Sequence, residues 1–468
     1  MEKALVWLRR DLRLKDHAAL SQATQRARSV ALVFVFDSQI LGRLGNPQDR
    51  RLTFIWESLN ELRKQIQKKG SDLILIHGDP VREIPPLAEK LGVSAVFANR
   101  DYEPYARTRD QEVMDELRNS GRDLHLFKDH VLFEGPEILS GGGGPYRVFT
   151  PYLNAWKKQF RHKMLEEHPV SLSRLMPLWE IPRPNRELSL KDLGFHPQTL
   201  WLPPGERAAQ KRLDDFMSRI DEYDTQRDIP GVEGTSGLSV HLRFGTCSVR
   251  QLFRKALEKR SKGRSTWLKE LVWREFYQMI LDRFPHVVHQ SFKDEYRQLK
   301  WPGEPEHFQA WCEGRTGFPI IDAAMRHFAK TGWMHNRLRM IVASFLTKDL
   351  LVSWQEGEAF FAAHLLDFDL ASNNGGWQWA ASTGCDAQPY FRIFSPWLQS
   401  QRFDPQGDFI RRALPELQDV PSQALHKPEK WAAARPPTYP APIVDHSLQR
   451  EKALKLFSQS KQKASKGR

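Results

Sequence analysis

The stretch His364-Leu365-Leu366-Asp367-Phe368-Asp369-Leu370-Ala371-Ser372-Asn373-Asn374-Gly375-Gly376-Trp377-Gln378-Trp379-Ala380-Ala381-Ser382-Thr383-Gly384-Cys385 crowds two acids, two adjacent amides, paired glycines and two indoles together. An ordinary core segment does not gather fixed polar groups this way, because each buried acid or amide needs its own partner. Gly375 and Gly376 remove side-chain bulk and let a ligand approach the backbone closely. The same residues also fit a capped helix start followed by two packing tryptophans. Residue types alone leave both readings open.

Towards the N-terminus the pattern changes. Residues 1 to about 128 alternate short apolar runs with helical periodicity. Ala4–Leu8, Val30–Phe36, Leu73–His77, Ala95–Ala98 and Leu124–Phe127 read as buried strands, with Arg50–Gln67 and Tyr105–Asn119 the clearest helices between them. This alternation predicts a parallel sheet covered on both faces. No G-x-G-x-x-G follows the first strand. Trp7-Leu8-Arg9-Arg10-Asp11-Leu12-Arg13 stands there instead, so the fold reads as Rossmann-like without the pyrophosphate fingerprint. By itself this run also reads as a strand end followed by a charged, solvated turn.

From about 129 to 200, Gly141–Gly144 and the prolines Pro177, Pro182, Pro184 and Pro197 mark a long connector wrapped over the surface. From about 201 to 450 the periodicity is helical. Leu448–Leu456 reads as a last helix. The segment 451–468 reads as a basic tail whose Lys-rich end, after Ser458, is expected to be disordered.

The 468 residues carry a formal net charge of +13, which favours an anionic partner, nucleic acid first. A generally basic soluble enzyme would show the same balance. Cys247, Cys312 and Cys385 form no C-x-x-C pair, so neither a zinc site nor an iron–sulfur cluster is indicated. Few cysteines fit a reducing compartment. A strand pattern beginning by Ala4 leaves no room for a signal peptide, and no apolar run is long enough to span a bilayer. The expectation is a cytoplasmic monomer with no membrane attachment.

Four further motifs can carry chemistry. Gly234-Thr235-Ser236-Gly237-Leu238-Ser239 offers hydroxyls and backbone amides suited to phosphate oxygens, although capping of the next helix explains them equally well. Glu270, Trp273, Arg274 and Tyr277 share one face of a helix. That face fits a salt-bridged surface stripe or the wall of a pocket for a flat, polar, aromatic ligand. Asn336, Arg339, Met340 and Ala343 share another face, and Arg339 can pair with Asp367. Tyr390-Phe391-Arg392-Ile393-Phe394 and Arg402 interleave aromatic and basic residues, a pattern suited to phosphates and exposed bases. Read blandly, they form an amphipathic surface that meets only water.

Asp367, Asp369, Asn373, Asn374, Gly375, Trp377, Gln378 and Trp379 fit D-x-D-x-x-x-N-N-G-x-W-Q-W. This pattern resembles the flavin-binding core of the DNA photolyase/cryptochrome family, within it the bacterial class I cyclobutane pyrimidine dimer photolyases. Trp7–Arg13, Pro145–Tyr152, Trp156-Lys157-Lys158 and the T-S-x-L-S of Thr235–Ser239 extend the resemblance over nearly the whole chain. It implies a Rossmann-like α/β N-terminal domain followed by a large all-α FAD-binding domain. It implies that FAD is held by Tyr223, by Thr235, Ser236, Leu238 and Ser239, and by Trp267, Glu270 and Arg274. Asn336, Arg339, Asp367, Asp369 and Asn373 complete that set, with Asn373 facing flavin N5.

The resemblance also implies that Glu270, Asn336, Met340 and Trp379 act on the dimer. Trp377, Trp354 and Trp301 correspond to an electron-transfer triad running from the flavin to the surface. Trp273, Arg274, Arg337, Arg392 and Trp379 correspond to DNA contacts. The partner is then damaged DNA containing cyclobutane pyrimidine dimers. His335-Asn336-Arg337 lacks the two histidines typical of (6-4) photolyases, and Asn373 is neither the carboxylate of plant cryptochromes nor the cysteine of animal ones. A light-signalling cryptochrome, (6-4) repair and a flavin oxidoreductase are the alternatives; no nicotinamide motif supports the last.

A second, antenna chromophore would lie against Phe36–Leu41, Arg51 and Asp101–Tyr105. Tyr105-Ala106 stands where many folate-binding members have Asn-Glu. That leaves 5,10-methenyltetrahydrofolate or a deazaflavin, or an empty groove.

Overall fold

A computed structural model describes residues 1–182 and 187–466. Pro184 of the connector and the last two residues of the tail lie outside the described residues. The chain forms two compact units, Met1–Pro145 with Leu153–Asp221 and Ser236–Asp282, and Tyr146–Tyr152 with Glu222–Thr235 and Arg283–Arg468.

The first unit is built on five parallel strands, β1 (Lys3–Leu8), β2 (Ser29–Asp37), β3 (Leu73–Gly78), β4 (Ala95–Asn99) and β5 (Asp123–Phe127), in the order β3-β2-β1-β4-β5. Leu5 lies opposite Ala31 on one side and Val96 on the other, which fixes the register. The apolar runs predict all five strands because a parallel sheet is covered on both faces and needs no polar alternation. Leu5, Trp7, Val33 and Val35 point into one layer with Ile84, Leu87, Val113 and Leu117 from the helices Pro80–Lys90 and Pro104–Asn119. The helix Ala18–Arg26 packs on β1, β4 and β5.

The strand order reverses between β1 and β4, where folds of this kind commonly bind nucleotides. Here the crevice is filled by the chain itself. Arg9 reaches both oxygens of Asp110 at 2.5 and 2.6 Å and donates to the Asn99 carbonyl. Asn99 Nδ2 donates to Asp11 Oδ2 at 2.7 Å, and His17 lies 3.2 Å from the same carboxylate. Burial pushes the Asp11 carboxyl up, but the pull of His17 and of the Arg9 backbone N–H outweighs it and holds the group down at about 2. The run Trp7–Arg13 is therefore a buried ion network and not a solvated turn. Its charges answer one another too closely for hydropathy to reveal their burial.

The connector differs from a surface strap. It includes an eleven-residue helix, Phe149–Gln159, and it buries Val131, Leu132, Phe133, Leu153, Trp156 and Met176. Met176 N–H donates to the Val30 carbonyl at 2.8 Å, tying the segment to β2. Glycines and prolines punctuate the sequence here without freeing it.

The described residues of the second unit form helices and turns. Its core joins Trp311, Phe318, Phe345, Trp354, Phe361, Trp377 and Trp431. The tail is ordered, contrary to the expectation: one helix runs His446–Lys466. Ala453 and Phe457, one turn apart, are buried, and Phe457 packs edge-on against Tyr296 and Trp301 at 5.4 and 5.8 Å. Lysines on the opposite face disguise that anchor. Among the described residues no helix is long and apolar enough to cross a membrane.

Candidate functional site

In the second unit three helices carry most of the singled-out residues: Asn336–Ser344, Trp354–His364 and Leu370–Ala380. Each starts with a side-chain cap, from His335, Ser353 and Asp369 respectively. Asp369 Oδ1 accepts from Ser372 N at 3.0 Å, so the capping role read for the acidic pair belongs to Asp369. Asp367 has a different task. Arg339 Nη2 donates to its two oxygens at 2.8 and 3.1 Å, while Arg339 Nε donates to the Met334 carbonyl at 2.8 Å.

Asn373 is buried, and its Nδ2 donates to the Glu358 carbonyl at 3.1 Å and to Glu358 Oε1 at 2.8 Å. Both amide protons point at Glu358, so the amide oxygen is the face left to accept a hydrogen bond. Burial pushes the Glu358 carboxyl up and the Asn373 bond pulls it down; burial wins. The neighbouring amides are spent on the fold: Asn374 and Gln378 donate to the Val287 carbonyl at 2.9 and 3.0 Å, and Gln378 accepts from Phe292 N at 2.8 Å. Gly375 and Gly376 lie inside the helix, and a Cβ at Gly376 would meet nothing within 4 Å.

Of the three indoles only Trp301, partly buried, reaches the edge of the core; Trp377 and Trp354 are both buried within it. Trp354 Nε1 donates to Ser291 Oγ at 3.4 Å. Asn336 is exposed, Arg339 and Met340 are half-buried and Ala343 is buried, with Asn336 Nδ2 3.8 Å from Met340 Sδ. Trp379 is half-buried beside the same core, and Tyr223 is buried under the Arg227 guanidinium at 5.3 Å. Arg337 is engaged within the unit: it pairs with Asp228 at 2.9 Å, stacks over Phe403 at 4.2 Å, and its side chain is 16% exposed. Arg392 is exposed, next to a Phe391 that is 60% exposed.

In the first unit, the helix Lys262–Arg283 buries Trp267 against Phe216 at 5.1 Å. Glu270, Trp273, Arg274 and Tyr277 form a half-buried stripe along it, with the Trp273 and Tyr277 rings 5.6 Å apart. Arg274 Nη1 donates to the His130 carbonyl at 2.7 Å. In the loop before Ser239–Phe244, Leu238 occupies the cap position, and Ser236 Oγ accepts from Leu238 N at 3.3 Å. Arg212 Nε holds the Ser236 carbonyl at 3.1 Å.

Glu275, which the motif reading passed over, anchors that helix from behind. It accepts from Leu132 N at 2.6 Å, Phe133 N at 3.2 Å and Trp156 Nε1 at 2.7 Å. Burial pushes its carboxyl up to about 7, from an ordinary 4.5, against the pull of these donors. The folded protein therefore holds this proton more tightly than the unfolded chain. The resulting stabilisation is full below the ordinary value and is lost as pH rises through about 7. The stability of wild type minus that of Glu275→Gln, from urea unfolding, is expected to fall as pH rises from about 5 to about 8. A flat difference would mean that the carboxylate stays ionised throughout.

At the antenna positions, the Tyr105 hydroxyl donates to Asp37 Oδ2 at 2.8 Å, and Asp37 also caps the turn Ser38–Leu41. Burial and this bond push the Tyr105 phenol up. Beside them lies a cleft of about 390 Å³ lined by Ser38, Leu41, Leu44, His77 and Phe195, among others. Arg51 is forked onto Asp49 at 2.9 and 3.0 Å, and Arg10 pairs with Asp101 and Glu103 at 3.2 and 3.0 Å.

Residues 4–171 match the family described as DNA photolyase, and residues 267–459 match the FAD binding domain of DNA photolyase. A deoxyribodipyrimidine photo-lyase of Synechococcus sp. is 41% identical over 480 residues, spanning 98% of this chain and 96% of that one. A bacterial class III photolyase from Agrobacterium tumefaciens superposes with a TM-score of 0.89 at 34% identity, covering 99% of this chain and 98% of that one. An archaeal photolyase from Sulfolobus tokodaii, solved with two FAD molecules, gives a TM-score of 0.85 at 31% identity, covering 98% of this chain and all (100%) of that one. A parallel-sheet unit, helices matching an FAD-binding domain and the Asp367–Trp379 segment define a flavoprotein of the photolyase/cryptochrome class. Within that class, the chain belongs to the DNA photolyase family.

Proposed function

We propose that this protein repairs cyclobutane pyrimidine dimers in DNA with light, as a monomer in the cytoplasm. The observation that carries the reading is Asn373. It is a buried, neutral amide whose N–H groups are spent on Glu358, leaving an oxygen to accept from a ligand N–H. A reduced flavin offers such a donor at N5, and a neutral partner there does not force a second proton onto the ring. The positive Arg339, held by Asp367, offsets the negative charge of that reduced ring.

Bound FAD would supply the chemistry: one electron lent from its excited, fully reduced state and recovered once the dimer's two bridging bonds have broken. The chain binds, orients and excludes water. Tyr223, Thr235, Ser236, Leu238, Ser239, Trp267, Arg339, Asp367, Asp369 and Asn373 are the proposed flavin contacts. Glu270 hydrogen-bonds the dimer, which is flipped out of the duplex, and Trp273 packs on it; Asn336, Met340 and Trp379 are the other proposed dimer contacts. Arg274 and Arg392 meet phosphates. The internal partners of Arg337 make it the weaker DNA contact of the two motif arginines.

In chain order the proposed domains are 1–128, a connector 129–200, the helical FAD- and DNA-binding domain 201–450 and the basic tail. The cleft beside Asp37 and Tyr105 is the proposed antenna site. The Sulfolobus tokodaii photolyase carries a second FAD described as a light-harvesting cofactor. A folate or deazaflavin is the candidate here.

Purified, FAD-loaded protein is expected to remove dimers from an oligonucleotide in blue or near-ultraviolet light and not in the dark. Binding should weaken steeply with salt, and Arg392→Ala should weaken damaged and undamaged DNA alike, lowering the salt slope by about 1. Equal dimer loss in light and dark, or none in either, overturns the reading.

A further inference from the structure

We propose that Gly357 is a positioning residue for electron delivery. It opens a notch in the Trp354–His364 helix that seats the Trp377 ring beside Trp354. This rests on the reading of Trp377, Trp354 and Trp301 as an electron path.

Trp354, Gly357 and Phe361 are spaced i, i+3 and i+7, so they share one buried face, which packs against the helix carrying Trp377. A Cβ on Gly357 would stand 2.2 Å from Trp377 Cη2, 2.4 Å from Cζ3 and 2.6 Å from Leu346 Cδ2. The indole has no room to retreat. Phe361 holds it edge-on at 5.1 Å and Trp311 at 6.0 Å, in a close-packed core. Glycine inside a helix is disfavoured relative to alanine, and Gly357 is absent from the positive-φ residues that would explain it by conformation. Close approach of the ring is the remaining reason for it.

The next gap shows the same device. Gly303 follows Trp301 by two residues, and its N–H donates to the Leu351 carbonyl at 3.0 Å. A Cβ there would lie 2.6 Å from Val352 Cγ2 and 2.7 and 2.8 Å from the Leu350 and Leu351 carbonyl oxygens. The segment Leu350–Val352 leads directly into Trp354, so the chain bearing Trp301 is pressed against the lead-in to the middle indole. One glycine thus lies at each of the two indole-to-indole gaps.

The electrons balance as follows. With FAD bound, Trp377 would give one electron to the light-excited oxidised flavin at each turn and would be re-reduced by Trp354. Trp354 is re-reduced by Trp301, and Trp301 by a thiolate in solution. The thiyl radicals produced pair into disulfide.

Gly357→Ala in the full-length, FAD-loaded protein is expected to slow photoreduction of oxidised flavin several-fold with dithiothreitol as donor. The Trp377 indole N–H resonance should shift in the dark. The thermal destabilisation it causes should shrink in a Trp377→Phe background, where the colliding ring is smaller. Unchanged photoreduction and an unmoved Trp377 resonance overturn the proposal. If Trp377→Phe alone photoreduces at the wild-type rate, the electron-path reading itself has failed. Should Gly357→Ala not fold, Gly303→Ala carries the test, with slow photoreduction expected and a wild-type rate counting against it.

Discussion

Arg339→Leu is expected to destabilise the protein by about 3 kcal/mol and to strip it of FAD, because it leaves a buried carboxylate without its cation. The Asp367 side chain is 3% exposed and receives both bonds from one guanidinium nitrogen, while Arg339 is 28% exposed. Removing one member of a buried pair costs about 3–5 kcal/mol, since the survivor keeps its desolvation cost and loses the compensating charge. Partial exposure of Arg339 puts the expectation at the low end. Asp367 also lies between the Leu366 N–H bond to the Gly332 carbonyl at 2.8 Å and the Asp369 cap, so its displacement disturbs the entry to the Asn373 helix. The charge argument makes a second demand: Arg339→Leu with Asp367→Asn should recover part of the lost stability, because neither charge is then stranded. Urea unfolding of flavin-free protein reads the first effect and the flavin absorbance of purified protein the second. A loss below about 1 kcal/mol, the range of a solvent-exposed pair, would show that water screens Asp367.

The strands were legible because a covered parallel sheet writes itself as unbroken apolar runs, and the helix Arg50–Gln67 because its buried residues recur at helical spacing. What escaped lies in contacts between segments far apart in sequence. Glu358 is an ordinary surface-type residue in its own helix, and only the fold brings it to Asn373, fifteen positions on. Glu275 sits beside the recognised Trp273–Arg274 pair, yet its partners come from Leu132, Phe133 and Trp156. The basic end of the chain reads as solvated because lysines outnumber its anchors, although Ala453 and Phe457 suffice to dock it. Gly357 reads as a weak point in a helix until the Trp377 ring is seen against it. Local pattern reports which face is apolar; it does not report which distant group meets it.

Glu270→Ala is expected to lower dimer repair per absorbed photon by about tenfold or more while leaving DNA affinity and bound FAD much less affected. Glu270 lies on the half-buried stripe of the Lys262–Arg283 helix with Trp273, Arg274 and Tyr277, so a flat ligand against the indole would have a carboxylate one turn away. A hydrogen bond from the dimer to that carboxylate matters most when charge redistributes as the electron arrives. Removing it therefore subtracts more from the reacting state than from the ground state. The rival account makes Glu270 a clasp for Arg274 that merely stiffens the helix. That helix has other anchors: Arg274 donates to the His130 carbonyl at 2.7 Å, and Glu275 holds Leu132, Phe133 and Trp156 from behind. Loss of Glu270 should leave these bonds in place, so melting temperature and flavin content should stay near wild type. The clasp account instead expects lost stability or lost flavin, with normal yield in the molecules that keep it. Repair per photon at saturating DNA, normalised to bound FAD, separates the two, and an unchanged yield would remove Glu270 from the chemistry.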